Sequence, residues 1–283
     1  MELASNNLNQ LIDIDKLLKT KKPNLYKRLP SFIIRKIEKI ACQDQCNDIL
    51  MRFGHLDGAD FIEAVFNDFN VEIVSHGVED IPKNSRMVFA ANHPLGGIDG
   101  LAVIYSVCKQ FGAAKGVVND LLLNVGSLKS VFCGVNVYGH NTPEIINNID
   151  ELYKSNFNIC VFPAGMVSRR IDGEIKDLKW KKNFIVKSVQ HNLPIVPVYV
   201  NAKNSDKFYS IANWRKKLGI KFNYELVMLP SEVFKYRDKP IELFFGKPIM
   251  PQTLNDIKNA EEKTQFVRQK VYAMAQTQKL KIV

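Results

Sequence analysis

The pattern of hydrophobic and polar positions changes near residue 70 of this 283-residue chain. Before that point, apolar residues recur every three or four positions, which is typical of amphipathic helices. The helix expected at 31–41 has isoleucines on one face and basic residues on the other. Such a helix can lie on an anionic membrane or pack on the protein core, and a stripe of ordinary width without Trp favours packing. We predict a helical N-terminal extension over residues 1–70 and a second domain over 71–283.

From Val71 onward, short apolar runs typical of strands alternate with longer segments typical of helices. The strands are predicted at 71–74, 87–91, 115–118, 134–138, 158–163, 195–200, 224–228 and 241–245. The longer helices are predicted at 101–108, 143–154, 181–191 and 260–278. Because parallel strands need crossover connections, this alternation predicts an α/β fold, with a central, mostly parallel mixed sheet flanked by helices.

The loop that follows the predicted strand at 87–91 carries the candidate chemistry, in the sequence NHPLGGIDG at residues 92–100. A neutral imidazole such as that of His93 is well suited to accept a proton near pH 7. The glycine pair allows a tight connection, so Asp99 can reach back to Nδ1 and stabilise the imidazolium. No serine or cysteine adjoins the pair, so His93 is predicted to activate a hydroxyl or amine of the substrate. The same residues also suit an ordinary strand-to-helix turn.

The charge of the chain predicts an anionic partner. Its formal net charge is +10 and its pI is near 9.2, which favours nucleic acid, an anionic membrane surface or an acidic carrier protein. Basic residues concentrate at 16–39, 169–187 and 203–221. No recognised nucleic-acid-binding motif is present, and aromatic residues are not interleaved with these clusters as in a stacking platform. We therefore expect no nucleic acid, and a nucleic-acid-binding protein stays an alternative of a different class.

The cysteines and the lengths of the apolar runs indicate the cellular location of the protein. The five cysteines are odd in number, and three of them fall in apolar patterns, which favours free thiols in a reducing cytoplasm. No two ligand pairs occur at zinc-site spacing, so no metal site is expected. The first residues lack the pattern of a signal peptide, and no run approaches the roughly 18 apolar residues that span a bilayer. We expect a cytoplasmic protein whose membrane contact is peripheral.

The sequence NHPLGGIDG resembles the signature of the glycerolipid (lysophospholipid) acyltransferase superfamily, in which four residues usually separate His from Asp. Here five residues separate them. This variant is similar to bacterial acyltransferases that acylate the hydroxyl of lyso-aminolipids, the lyso-ornithine and glycine lipid O-acyltransferases, and to hemolysin-like acyltransferases. The resemblance implies that His93 and Asp99 are catalytic. It also implies that Asn92, Gly96 and Gly97 contribute to substrate binding.

Later segments extend the resemblance to about residues 71–250. The sequence VFPAGMVSRR, about 70 residues after His93, fits the frame of a superfamily loop that holds the acceptor head group or lines the donor channel, although its glutamate and threonine are absent. The resemblance assigns substrate binding to Phe162, Pro163, Gly165, Ser168, Arg169 and Arg170. Adjacent arginines offer fork-shaped donors to a carboxylate or phosphate. The apolar segment 193–200, which has a proline at its second position, fits a further motif.

The departures from the superfamily pattern bear on the acceptor. The resemblance also assigns substrate binding to His140, which stands where the family has an arginine that contacts glycerol phosphate. Together with the missing glutamate, this disfavours glycerol 3-phosphate, and the 3-hydroxyl of an amide-linked fatty acid in a lyso-aminolipid becomes the favoured acceptor. A 1-acylglycerol-3-phosphate acyltransferase of phospholipid synthesis and a non-catalytic lipid-binding relative stay as alternatives.

The resemblance therefore implies an O-acyltransferase that uses an acyl thioester of acyl carrier protein or coenzyme A, with no bound cofactor. His93 would take the proton of the acceptor hydroxyl, and Asp99 would stabilise the imidazolium. Amide N–H groups near Gly96, Gly97 or Gly165 are candidates for stabilising the oxyanion. The expected partners are the carrier protein or coenzyme A thioester, the lyso-lipid, and an anionic membrane at the inner face of the plasma membrane.

Overall fold

The N-terminal part of the chain is helical in the computed structural model, which describes residues 11–21, 23–135, 142–220 and 223–281. Its helices are α1 (Ile14–Lys21), α2 (Pro23–Tyr26), α3 (Ser31–Ile40), α4 (Gln43–Phe53) and α5 (Gly58–Asp68). In α3, Ile34 is buried and the basic side chains are exposed, as the pattern of the sequence requires. The predicted helical extension is confirmed for the described residues, while residues 1–10 of the predicted range lie outside them. The domain boundary at residue 70 stays a prediction.

A seven-stranded sheet forms the centre of the fold. The strands of the chain are β1 (Ile73–His76), β2 (Val88–Ala91), β3 (Ala114–Asn119), β4 (Phe132–Val135), β5 (Asn158–Val161), β6 (Arg169–Ile171), β7 (Glu174–Lys176), β8 (Ile195–Asn201) and β9 (Ile241–Phe245). In the sheet their order is β1-β9-β8-β2-β5-β3-β4. Among the described strands of this sheet, only β8 and β9 pair antiparallel. Strands β6 and β7 form a separate antiparallel hairpin. The predicted mostly parallel mixed sheet is confirmed.

Helices cover both faces of the sheet. They are α6 (Ile98–Phe111), α7 (Pro143–Lys154), α8 (Asn183–Gln190), α9 (Asp206–Lys217), α10 (Leu229–Phe234), α11 (Pro251–Asn255) and α12 (Ala260–Lys281). Because side chains alternate along a strand, Phe89 packs with α5 and α6 on one face. Val88 packs with α8 and α12 on the other. Phe61 of α5 lies in the same hydrophobic cluster as Phe89, so the N-terminal helices share the core of the sheet.

The strand predicted at 224–228 is wrong. Tyr224–Met228 is a 3-10 helix that runs directly into α10. Its alternating pattern is misleading because Leu226 and Met228 pack against a small hydrophobic cluster outside the sheet that includes Val167. Glu225 is buried and pairs with two arginines. The strand predicted at 134–138 begins earlier, at Phe132, and residues 136–141 lie outside the described part of the chain.

The parallel register places three strand ends together. Val88 of β2 stands opposite Ile159 of β5 and Ile195 of β8, so the carboxyl ends of these strands meet at one edge of the sheet. The segment 92–97, here named the His93 loop, follows β2 at this edge. The segment 162–168 follows β5 beside it. In parallel α/β sheets this edge is where ligands usually bind.

Candidate active site

The structure brings His93 and Asp99 together. Nδ1 of His93 lies 3.0 Å from Oδ2 of Asp99, and the side chains are 17% and 0% exposed. Asp99 stands in the first turn of α6, which begins directly after the His93 loop. The imidazole therefore has one edge held by a buried carboxylate, and part of its surface reaches solvent.

Backbone amides satisfy the Asp99 carboxylate. Oδ1 accepts from the amides of Gly97 and Gly100, each at 2.9 Å, and Oδ2 accepts from Leu95 at 2.9 Å. Burial alone would raise the pKa of Asp99, but the charge and hydrogen bond of His93 and these amides lower it below its ordinary value. Asp99 is therefore ionised at neutral pH.

The carboxylate fixes the protonation of His93. Because an ionised carboxylate can only accept hydrogen bonds, Nδ1 donates to Asp99, and Nε2 carries the free lone pair. Burial alone would lower the pKa of His93, but Asp99 raises it, with a further contribution from Asp177, and the net shift is above the ordinary value. A raised pKa makes the ring a stronger base and stabilises the imidazolium that forms after proton transfer.

Glycine is required at Gly96 for conformation and for space. Its φ of +74° lies in the left-handed region that other residues rarely adopt. A Cβ there would stand 2.7 Å from Cβ of Val167 and 3.2 Å from Leu229. At Gly97, whose backbone is extended, a Cβ would stand 3.3 Å from Val233. The glycine pair thus lets the His93 loop turn tightly beneath α10 and the 162–168 segment.

Asp177 holds the main chain of His93, a role that no pattern in the sequence indicates. Its Oδ1 accepts from the His93 amide at 3.1 Å and from Oγ of Ser168 at 2.5 Å, and its Oδ2 accepts from Nε1 of Trp180 at 2.8 Å. The Ser168 amide donates to the His93 carbonyl at 2.8 Å. Asp177 and Ser168 are buried, so Ser168, predicted to bind substrate, supports the His93 loop instead of facing solvent.

Asp177→Asn is expected to lower kcat about tenfold and to move the acidic limb of the rate profile to lower pH. The neutral amide no longer raises the pKa of His93, so the ring stays unprotonated, and able to accept a proton, in more acidic solution. The pH dependence of kcat/KM measures both effects. Asp68→Asn, at a surface ion pair with Arg52, is the control and should leave the profile unchanged. If the acidic limb of the kcat/KM profile of Asp177→Asn lay at the same pH as that of the wild type, the positioning role would be contradicted.

The 162–168 segment contacts His93 through Phe162. The two ring centroids are 4.6 Å apart with an angle of 34° between the planes. Gly165, at φ +65°, closes a turn in which its amide donates to the Phe162 carbonyl at 2.8 Å. The Pro163 carbonyl accepts from the amide of Lys181 at 2.9 Å. This turn places the Phe162 ring against the imidazole and leaves the Gly165 amide occupied.

The two arginines predicted to bind an anion have acidic partners within the chain. Nη2 of Arg169, which is buried, lies 3.1 Å from Oε1 of Glu225, and its Nη1 donates to the carbonyl of Val167 at 2.9 Å. Arg170 is partly exposed and pairs with Asp206. Arg169 therefore stabilises the segment that leads to α10, and Arg170 is the more accessible of the two.

Asn92 connects two strands at the edge of the site. Its Oδ1 accepts from the Val200 amide at 2.7 Å, and its Nδ2 donates to the Val200 carbonyl at 3.1 Å. Asn204, also missed, donates to the carbonyls of Pro94 and Leu95, at 3.3 Å each. Both asparagines are buried and hold the backbone around His93. His140, the remaining predicted residue, lies outside the described residues.

Two of the amides considered for an oxyanion site already have acceptors. The Gly97 amide donates to Asp99 and the Gly165 amide to Phe162. The Gly96 amide makes a longer contact of 3.4 Å with Asp99. The arrangement can therefore supply a general base with a free Nε2, a stabilised imidazolium and an aromatic wall.

Comparisons with known proteins agree with this chemistry. A family model described as "Acyltransferase" matches residues 16–279. The chain therefore belongs to the acyltransferase family, as the sequence of the His93 loop predicted, and it is an enzyme that transfers acyl groups. The lyso-glycine lipid O-acyltransferase of Bacteroides thetaiotaomicron is 39% identical over 265 residues, which cover 93% of this chain and 97% of that protein. The protein of the same name from Phocaeicola vulgatus is also 39% identical, with coverage of 93% and 95%.

Solved structures are also similar to this chain, and one of them aligns along most of its length. The 1-acyl-sn-glycerophosphate (LPA) acyltransferase PlsC from Thermotoga maritima aligns with a TM-score of 0.48 and 18% identity. The alignment covers 93% of this chain and 94% of that one. Separately, no helix in the described residues is both long enough and apolar enough to cross a membrane.

Proposed function

We propose that this acyltransferase moves a fatty acyl group from an acyl thioester to the hydroxyl of a lyso-aminolipid, and that a lyso-glycine lipid is its acceptor. The chemistry rests on the His93–Asp99 pair, which leaves Nε2 free on a partly exposed ring. Among the described residues, no hydroxyl or thiol of the protein bonds to this imidazole, so the acceptor's own hydroxyl is the nucleophile. Two relatives that align with nearly the whole of this chain are named lyso-glycine lipid O-acyltransferases, which supports a lyso-glycine lipid as the acceptor.

In this proposal the acyl group passes directly from donor to acceptor. Nε2 of His93 takes the hydroxyl proton as the acceptor oxygen attacks the thioester carbonyl carbon, and Asp99 stabilises the imidazolium. The tetrahedral intermediate then collapses, so that the C–O ester bond is kept and the C–S bond breaks. His93 returns the proton to the leaving sulfur, which departs as the thiol of acyl carrier protein or coenzyme A.

The pairing of Arg169 supports an aminolipid over glycerol 3-phosphate. A phosphate carries nearly two negative charges and is usually held by several cationic or amide donors. The guanidinium of Arg169 is buried against Glu225, which leaves Arg170 as the accessible arginine of the pair. One partly exposed guanidinium is enough for the single carboxylate of a glycine lipid.

We place the enzyme in the cytoplasm, bound peripherally to the inner face of the plasma membrane. Its acceptor carries a long acyl chain and stays in the bilayer. A net charge of +10 is attracted to the anionic lipids of that face. The same charge suits an acidic carrier protein as donor, and the proposal includes no nucleic acid.

The direct test is an acyl-transfer assay with purified protein, in detergent micelles and with labelled acyl carrier protein or coenzyme A thioesters. Lyso-glycine lipid and lysophosphatidic acid are compared as acceptors. We expect the diacylated glycine lipid as the main product and none with His93→Ala. Cells that carry only His93→Ala should accumulate the lyso-lipid. Faster acylation of lysophosphatidic acid would instead favour phospholipid synthesis.

A further inference from the structure

The exposed end of α9 combines large apolar side chains with lysines. Trp214, Leu218 and Ile220 are 65%, 64% and 40% exposed. Lys216 and Lys217, which stand between them, are also exposed. Exposed apolar residues are common singly, but a tryptophan and two aliphatic residues within seven positions form a patch that needs explanation. These five residues are named the α9 tip.

The α9 tip is held in a defined shape by its backbone. The Ile220 amide donates to the Arg215 carbonyl and the Gly219 amide to the Lys216 carbonyl, each at 3.1 Å, while Gly219 has a φ of +67°. This is the Schellman ending of a helix, in which an apolar residue at the Ile220 position usually packs on the side chain at the Arg215 position. Here that side chain is an arginine, so Ile220 stays exposed.

Arg215 ties the tip to the protein body. Its Nη1 donates to the carbonyl of Ile220 at 2.7 Å, and its Nε lies 2.9 Å from Oε2 of the buried Glu225. On the inner side of α9, Phe208 and Ala212 are buried in the core. Trp214 and Leu218 are four residues apart and share the outer side of the helix. The apolar side chains are thus displayed on a fixed support.

We propose that the α9 tip docks the enzyme onto an anionic lipid bilayer. Trp favours the membrane interface, where its ring is buried and its N–H stays near water. Burial of the Leu218 and Ile220 side chains at the boundary with the acyl chains lowers the free energy of binding. Lys216 and Lys217 attract anionic head groups. An acidic carrier protein would also attract the lysines, but it would not require three exposed apolar side chains between and around them.

The position of the tip agrees with delivery of a lipid acceptor, and in this respect the inference rests on the proposed function. The start of α9, at Asp206, follows Asn204, which bonds to the His93 loop. Trp214 lies eight residues further along the helix, about 12 Å along its axis at 1.5 Å per residue. A bilayer at the tip would therefore lie close to the edge of the sheet that carries His93.

The test compares sedimentation with vesicles of phosphatidylglycerol and phosphatidylcholine against vesicles of phosphatidylcholine alone. The wild-type protein should favour the anionic vesicles. Trp214→Ser with Leu218→Ser, and separately Lys216→Glu with Lys217→Glu, should each weaken that binding about tenfold or more. Ile146→Ser, at an exposed isoleucine of α7, is the matched control and should bind like the wild type.

Activity in detergent micelles separates this proposal from the proposed function. The tip variants should acylate micellar lyso-glycine lipid at the wild-type rate and lose activity only on vesicles. Wild-type vesicle binding by both variants would overturn the docking surface, whatever the acceptor is. The tip variants could instead bind vesicles normally but lose micellar activity with the carrier-protein donor and keep it with the coenzyme A donor. That result would show that the tip binds the carrier protein. An inactive wild-type enzyme would refute the proposed function, and the vesicle binding would still be measured independently.

Discussion

Replacing His93 with alanine is expected to lower kcat by about 10⁴-fold or more while leaving the fold intact. The variant loses the group that takes the acceptor proton and returns it to the leaving sulfur, and a methyl group offers no substitute. The effect on stability should be small, because the Asp99 carboxylate keeps its bonds from the amides of Leu95, Gly97 and Gly100.

Turnover in micelles and thermal unfolding together measure these two effects of His93→Ala. His55→Ala, at an exposed histidine remote in sequence from the His93 loop, is the matched control. It should keep the wild-type turnover and the wild-type unfolding temperature. A His93→Ala protein with near wild-type turnover would show that another group is the base. A loss of activity that accompanies unfolding would show that His93 is mainly structural.

The sequence was sufficient for the parts of the site that are local. His93 and Asp99 stand six positions apart, joined by one turn between β2 and α6, so their spacing and the glycine pair determine much of the geometry. The alternation of strands and helices was likewise sufficient for the mostly parallel sheet. These features depend on short-range periodicity and on backbone freedom, which a single sequence displays directly.

The partners of the site that come from far along the chain could not be predicted in this way. Asp177 lies 84 positions from His93, and Glu225 lies 56 positions from Arg169. Before folding, an acid among lysines and an acid in an apolar run both resemble ordinary polar residues. Only folding brings Asp177 to the His93 amide and to Ser168, and brings Glu225 of the 3-10 helix to Arg169 and Arg215.

The β6–β7 hairpin was missed although its sequence carries a signal. Asp172 and Gly173 both have positive φ, which is typical of the tight turns that join antiparallel strands and that favour Asp-Gly. The hairpin was overlooked because its strands are three residues each and belong to a separate sheet. Its first residue is Arg169, so the end of the family motif and the signal for a tight turn lie in one short segment.

The hydrogen bonds of Asp99 determine what its replacement by asparagine should do. Oδ1 of the new side chain can keep the bonds from Gly97 and Gly100, and the amide nitrogen then faces His93. An amide nitrogen donates, so Nδ1 of the ring must accept, and the proton moves to Nε2. A ring protonated at Nε2 cannot take a proton from the acceptor hydroxyl.

Asp99→Asn is therefore expected to lower kcat about 10³-fold, less than His93→Ala, and to shift the remaining activity to lower pH. The pKa of His93 falls because the carboxylate that raises it is gone, and a base with a lower pKa stays neutral in more acidic solution. The pH profile of kcat/KM measures the shift. Chemical unfolding should show a loss of about 1 to 3 kcal/mol, since the amide of Leu95 now meets a donor.

The double variant tests whether the two residues act as one unit. If Asp99 contributes only through His93, adding Asp99→Asn to His93→Ala should lower kcat no further, because the group that the carboxylate orients is already absent. If the double variant instead lost kcat by the product of the two single losses, Asp99 would act independently of His93, for example by shaping the His93 loop through its four amide contacts. The imidazole–carboxylate contact of 3.0 Å predicts the first result.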